Sequence, residues 1–178
     1  MIKEKSFVSA VMYIHDDPGT APSFFEQLFQ TLDTHFENFE IVLVDDCSDG
    51  VGLAKIKEFC RERKVQRTTV VSMSFYHGVE FAMRAGTDLA IGDYVFEFDT
   101  AAYGFDADLM LKMYHSLLDG NDVVSAVPTR NEVRSSKVFY KVFNRVARLP
   151  NDIDTEVCRV LSRRAINRVL SSSRSIPY

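Results

Sequence analysis

A chain of 178 residues, 46% hydrophobic and 26% charged, is sized for one domain with a substantial buried core, and its composition excludes a disordered chain. It contains no run of the about 20 apolar residues that a bilayer crossing needs, and its start, Met1 to Lys5, lacks the apolar stretch of a secretory signal, so a cytoplasmic location is expected. The net charge of −4 hides an asymmetry: residues 130–178 hold eleven Lys and Arg against four Asp and Glu, a local +7 that leaves −11 on the rest. A basic segment of this kind suits a diphosphate, a lipid phosphate or an anionic membrane surface, or is simply a solvated helix face; nothing in it points to nucleic acid. The three cysteines, Cys47, Cys60 and Cys158, have unrelated spacings and no histidine cluster beside them, which argues against a zinc site or a disulfide scaffold.

Apolar runs and turns alternate along the chain. Phe7 to Ile14 reads as a first strand, closed by Asp16-Asp17-Pro18-Gly19. Phe24, Phe25, Leu28, Phe29 and Leu32 then lie on one helical face, with Ser23 and Glu26 as a capping box and an end near His35. Phe39 to Val44 is a second strand ending in Asp45-Asp46-Cys47-Ser48-Asp49-Gly50, followed by a helix over about Val51 to Arg63. Thr68 to Met73 predicts a third strand, Gly78 to Ile91 a helix, and Tyr94 to Phe98 a fourth strand closed by Asp99. A helix near Asp108 to Leu118 and a fifth strand, Asp122 to Val127, complete the pattern. Strands apolar on both faces, alternating with helices, predict an α/β protein with a mainly parallel sheet in an α/β/α sandwich.

In such sheets ligands bind where the loops at the carboxyl ends of the strands converge. The acids fall at those ends: Asp16 and Asp17 after the first strand, Asp45 and Asp46 after the second, Asp99 after the fourth. Each alone is an ordinary turn or cap residue, but three acidic strand ends predict a shared polar site, with Asp46 and Asp99 facing one hollow. A dinucleotide-binding Rossmann domain is disfavoured, because no G-x-G-x-x-G follows the first strand.

The order of these motifs resembles the family 2 glycosyltransferases of the GT-A fold, and among them the polyprenyl-phosphate sugar synthases. The likeness runs through S-A-V-M-Y-I-H-D-D at Ser9 to Asp17, F-E-I-V-L-V-D-D-C-S-D-G at Phe39 to Gly50, S-F-Y-H-G-V-E-F-A-M-R-A-G at Ser74 to Gly86, and the A-I-G-D-Y-V lead into Asp99. It implies a single nucleotide-sugar-binding domain over 1–178 and a hexosyltransferase working with inversion, placed in cell-envelope polysaccharide assembly. Its nucleotide would be held by Tyr13, His15, Asp17 and Asp46. His15 stands where the family has tyrosine; it is either a base-stacking ring or a polar loop residue.

The same resemblance implies a Mg2+ or Mn2+ ion on Asp99, whose role would be to neutralise the leaving diphosphate. Here the family's D-x-D reads Asp99-Thr100-Ala101, so one carboxylate stays in register, with Asp106 and Asp108 nearby in the chain. Asp154 to Arg163 resembles the segment that closes over the donor; Val157 replaces its acid, leaving Glu156 as the stand-in catalytic residue beside Asp99. Arg159 is either a diphosphate contact or half of a salt bridge. Arg130 and Arg134 are the expected phosphate contacts, and a helix over 134–148 with one apolar and one basic stripe is expected to meet a polyprenyl-phosphate acceptor or the membrane surface. A saccharide is the other acceptor expected. The altered metal motif also leaves open a catalytically impaired homologue acting as a binding or regulatory module.

Overall fold

The computed structural model describes residues 2–15, 19–101, 106–126 and 158–172. The first two strands are longer than the apolar runs alone indicate. Strand β1 spans Glu4–Ile14 and β2 spans Phe36–Asp45, pairing in parallel from Phe7↔Asn38 to Ile14↔Asp45. Strands β3 (Thr68–Ser72) and β4 (Tyr94–Phe98) flank this pair, both parallel to their neighbours. The helices between them are α1 (Ala21–His35), α2 (Val51–Glu62) and α3 (Val79–Leu89), and α4 (Ala107–Leu118) follows β4.

The far end of the sheet is antiparallel. Strand β5 (Val123–Ala126) does not lie beside β4; β6 (Cys158–Ser162) inserts between them and runs antiparallel to both, giving the order β3-β2-β1-β4-β6-β5. Helix α5 (Arg163–Ser172) then leaves the sheet. Neither β6 nor α5 is among the elements expected from the sequence: β6 takes its partners from strands far away in the chain, whereas α5 does carry Ala165, Ile166 and Val169 at helical spacing. The sheet as a whole is mainly parallel, as expected.

Alternation along the strands sorts side chains into two layers. Val8, Ala10 and Met12 of β1, with Ile41, Leu43, Phe96 and Phe98, meet Phe25, Leu28 and Leu32 of α1, Ile56 of α2 and Met110, Met113 and Tyr114 of α4. On the opposite face Val11, Val42, Val44 and Val95 meet Ala82 and Met83 of α3 and Ile166 of α5. Helix α3 comes very close to the sheet: a Cβ on Gly86 would overlap Val11 and lie 2.6 Å from Val44 Cγ2.

The capping box expected at Ser23 and Glu26 does not form. Helix α1 begins two residues earlier, at Ala21 with Pro22 in its first turn, and Ser23 Oγ donates to the Thr20 carbonyl at 2.9 Å. Proline suits that turn because its fixed φ is already helical and its absent N–H would have had no partner there.

Candidate functional site

The parallel half of the sheet aligns the carboxyl ends of β3, β2, β1 and β4 on one edge. Met12 is level with Leu43 on one side and Phe98 on the other, so Asp46 and Asp99 leave the same edge from strands flanking β1. They stand roughly 10 Å apart across the sheet, two strand spacings. The side chains differ in surroundings: Asp99 is exposed, whereas Asp46 is 0% exposed.

Local turn chemistry occupies the acidic run after β2. Asp45 Oδ1 accepts from the Ser48 N–H at 3.1 Å, and Asp49 Oδ1 accepts from the Val51 N–H at 2.9 Å, at the start of α2. Short polar side chains take such backbone bonds readily, which is why they populate turns. Asp46 reaches further. Its Oδ1 accepts from the His77 N–H at 2.9 Å, and its Oδ2 from the Gly78 N–H at 2.8 Å and the Tyr13 hydroxyl at 3.2 Å. Its own N–H donates to the Ile14 carbonyl at 2.9 Å, and its carbonyl accepts from His15 Nδ1 at 2.7 Å, which puts the proton on that nitrogen. One buried carboxylate thus ties together the ends of β1 and β2 and the loop leading into α3. Gly78 is suited to its place because its φ of +89° lies in the region that side chains rarely adopt.

The loop so held presents rings at the edge. Tyr76 lies 4.5 Å from His15 between centroids, tilted by 33°, and His15 is 6.3 Å from Tyr13. Phe75 stacks on His77 at 4.1 Å and 21°. Phe75 and Tyr76 are 62% and 59% exposed. Tyr13, His15 and Asp46, expected together from the sequence, do meet at this edge, and Tyr76, His77 and Gly78 of the S-F-Y-H-G run join them there without having been expected.

Arg159 forms a salt bridge. Its Nε donates to Glu97 Oε2 across the antiparallel ladder, where the two residues are register partners, and Thr87 Oγ1 of α3 donates to Glu97 Oε1. Glu97 is buried and its place was not anticipated; the available signal was an acid inside the apolar strand Y-V-F-E-F, on the face shared with Val95. At the opposite end of β4, Ser9 Oγ donates to Glu40 Oε1 at 2.6 Å and accepts from the Gly92 N–H at 2.8 Å, and Arg163 bonds the carbonyls of Ala90 and Gly92. This lock sets the turn that feeds β4, and through it the position of Asp99.

For a divalent ion, Asp99 offers carboxylate oxygen at the ligand edge, while Ala101, where the family motif carries its second acid, packs against the main core. No group of three or more His, Cys, Asp or Glu suited to a metal occurs among the described residues. A single carboxylate such as Asp99 would suit an ion that takes most of its ligands from phosphate and water, as magnesium often does. Asp17, Arg130, Arg134, Glu156 and the helix expected over 134–148 lie outside the described residues. No helix among the described residues is long and apolar enough to cross a membrane.

A mainly parallel α/β sheet with an antiparallel end, carrying acids and rings at the carboxyl edge of its parallel half, has the architecture of the GT-A glycosyltransferases. A mannosyltransferase from Pyrobaculum calidifontis, solved in complex with GDP-Man and Mn2+, matches with a TM-score of 0.70 at 19% identity, over 93% of this chain and 47% of that one. Glucosyl-3-phosphoglycerate synthase from Mycobacterium tuberculosis, in complex with Mn2+, UDP-Glc and phosphoglyceric acid, matches with a TM-score of 0.70 at 13% identity, over 96% and 66%. At these identities the likeness speaks for the fold. The chain belongs to glycosyl transferase family 2, whose model matches residues 9–170. It is 23% identical to the uncharacterized glycosyltransferase YkcC of Bacillus subtilis (strain 168), over 96% of this chain and 54% of that protein. It is 25% identical to an uncharacterized glycosyltransferase of Synechocystis sp., over 91% and 52%. The chain thus spans about half the length of these curated relatives.

Proposed function

We propose that this chain is a single nucleotide-sugar-binding domain that transfers a hexose, with inversion, from a nucleoside diphosphate donor to an acceptor oxygen. The observation that carries this reading is the shared edge: the ring-lined Asp46 end and the exposed Asp99 are separated only by β1. The base end of a donor would rest by Tyr13, His15 and Asp46, with Asp17 beside them, and the diphosphate would run toward Asp99. Asp99 would hold Mg2+ or Mn2+, which when bound neutralises charge on the leaving diphosphate.

In the reaction the acceptor oxygen forms a bond to the anomeric carbon on the face opposite the leaving group. The bond from that carbon to the diphosphate oxygen breaks, and the nucleoside diphosphate departs with the electron pair. A phosphate acceptor is already ionised and requires no base, whereas a sugar hydroxyl must give its proton to a positioned carboxylate. Among the described residues Glu97 is buried and tied to Arg159, and Asp46 is clamped, so neither is placed for that work. This favours a phosphate acceptor such as a polyprenyl phosphate, with Arg130, Arg134 and the 134–148 segment toward the acceptor and the membrane surface; Glu156 is the base that a saccharide acceptor would require. Arg159, held by Glu97 and partly exposed, would be a diphosphate contact.

Titration calorimetry with a panel of uridine, guanosine and other nucleotide sugars, with and without Mn2+, tests this. Binding that strengthens with the ion in the wild type, and loses that strengthening in Asp99→Asn, is the expected outcome. No binding by any donor overturns it in favour of a non-catalytic binding module.

A further inference from the structure

We infer that the outer face of α3 is a docking surface for a second copy of this chain, the two α3 helices lying antiparallel about a twofold axis. Among the described residues, six of the twelve large apolar side chains left exposed fall within residues 75–91: Phe75, Tyr76, Val79, Phe81, Leu89 and Ile91. Apolar residues exposed singly are ordinary on a protein surface, but half of them gathered into one short stretch mark a place for a partner.

Helical spacing sorts the residues of α3 by face. Ala82, Met83, Gly86 and Thr87 are buried against the sheet, and Gly86 comes so close to Val11 and Val44 that the helix is held in one position. Phe81, Arg84, Ala85 and Asp88, spaced by three and four, therefore form the opposite ridge. Phe81 is 59% exposed on it, and Ile91, just past the end of the helix, is 72% exposed.

The charges on this face select its occupant. Arg84 and Asp88 form an i,i+4 pair at 4.0 Å, with 51% and 43% of their side chains still in solvent. A twofold axis across the middle of the helix sets Arg84 of each copy opposite Asp88 of the other, joining two separate pairs into one network. The same pairing brings Phe81 of each copy to Ile91 of the other, with Leu89 alongside, so apolar contacts flank the charges at both ends. Ala85 is small enough near the axis for the backbones to approach. An anionic membrane is the poorer match, because the exposed Glu80 and Asp88 outnumber Arg84 on the helix.

Phe81, Arg84, Asp88, Leu89 and Ile91 offer about 100 Å² each, so roughly 1,000 Å² is covered over both copies, at the low end for a specific interface. The dimer is accordingly weak and reversible, with a dissociation constant on the order of micromolar to tens of micromolar. It does not depend on what the edge near Asp46 and Asp99 binds.

Sedimentation velocity without any ligand, at concentrations from about tenfold below to tenfold above that range, tests the inference. The proteins are the wild type, Phe81→Glu, Arg84→Glu and Asp88→Arg, each first shown to unfold cooperatively. The wild type should shift from monomer to dimer as its concentration rises, and Phe81→Glu should weaken the dimer by about tenfold or more. Arg84→Glu and Asp88→Arg should each stay monomeric alone, because like charges then face each other across the axis. An equal mixture of these two variants should dimerise again, since each altered charge meets its opposite on the other chain. Neither chain regains its own i,i+4 pair in that mixture, so an effect within one helix would not restore the dimer. A wild type that stays monomeric, a dimer that survives Phe81→Glu, or a mixture that stays monomeric overturns the proposal. A monomeric wild type that binds phosphatidylcholine–phosphatidylglycerol vesicles, and loses that binding in Phe81→Glu, overturns it in favour of a lipid surface.

Discussion

Glu97 and Arg159 face each other across the β4–β6 ladder and are joined by a hydrogen-bonded ion pair, with Glu97 buried under α3 and Arg159 partly open to solvent. The pair fastens the antiparallel end of the sheet to its parallel half. Arg159→Ala leaves the buried carboxylate with Thr87 as its remaining hydrogen-bond donor, and is expected to cost about 2–4 kcal/mol, somewhat less than the cost of breaking a fully buried pair because the arginine is partly hydrated. The double variant Glu97→Ala with Arg159→Ala should be more stable than Arg159→Ala alone, since it removes the stranded charge. Urea unfolding of the four proteins in this cycle measures the coupling.

Gly92 has no room for a side chain. An added Cβ would lie 2.6 Å from the Ser9 nitrogen and 2.8 Å from the Val8 carbonyl carbon, and those are backbone atoms of the central strand that cannot swing aside. Gly92→Ala is expected to destabilise by about 3 kcal/mol or more, at the upper end of overpacking costs. Gly86→Ala meets the side chains of Val11 and Val44, which have some freedom to adjust, and should cost less, about 1–3 kcal/mol. Denaturant midpoints of the two variants give the order directly.

Asp122 accepts from Arg164 Nε at 2.8 Å and from Ser162 Oγ at 2.7 Å. The guanidinium first, and then the hydroxyl, hold its carboxyl below the ordinary carboxylate range. A group whose pKa is lower folded than unfolded stabilises the fold fully above its unfolded value, and that contribution is lost as the pH falls through the folded one. Asp122→Asn should therefore lower the thermal midpoint slightly at neutral pH, and the gap from the wild type should close as the pH drops below the ordinary carboxylate value of about 4. Melting curves across that range test the sign.

The three cysteines are in no disulfide and differ in access: Cys47 is exposed, Cys60 is partly covered and Cys158 is buried. Burial also pushes the Cys60 thiol above its ordinary pKa, keeping it in the less nucleophilic protonated form. A disulfide reagent under native conditions should modify Cys47 first, Cys60 slowly and Cys158 only on unfolding. Mass spectrometry of timed samples reads this order, and early modification of Cys158 would contradict the packing of β6.

The strands and helices from Phe7 to Ala126 were legible in the sequence because each is written locally: a short run apolar on both faces for a buried strand, a stripe recurring every three or four residues for a helix. Tyr94–Phe98 was read to the residue. Element starts were read less well, as at α1, where Pro22 rather than Ser23 marks the first turn, and at β1, whose first residues pair with β2 across an irregular register. Within the site, the edge on which Tyr13, His15, Asp46 and Asp99 fall was legible for the same reason, since a strand's last residue can be counted from its apolar run.

What this amino-acid sequence determined by itself was the alternation of elements, the two-faced burial of the strands and the family pattern around the acidic strand ends. Only the tertiary structure decided that β6 separates β4 from β5, that Glu97 takes Arg159, and that Asp46 turns inward to hold the loop carrying Tyr76. Each of these joins groups more than 30 residues apart in the chain, and hydrogen-bond partners chosen at that distance leave no periodic trace in the residues between them.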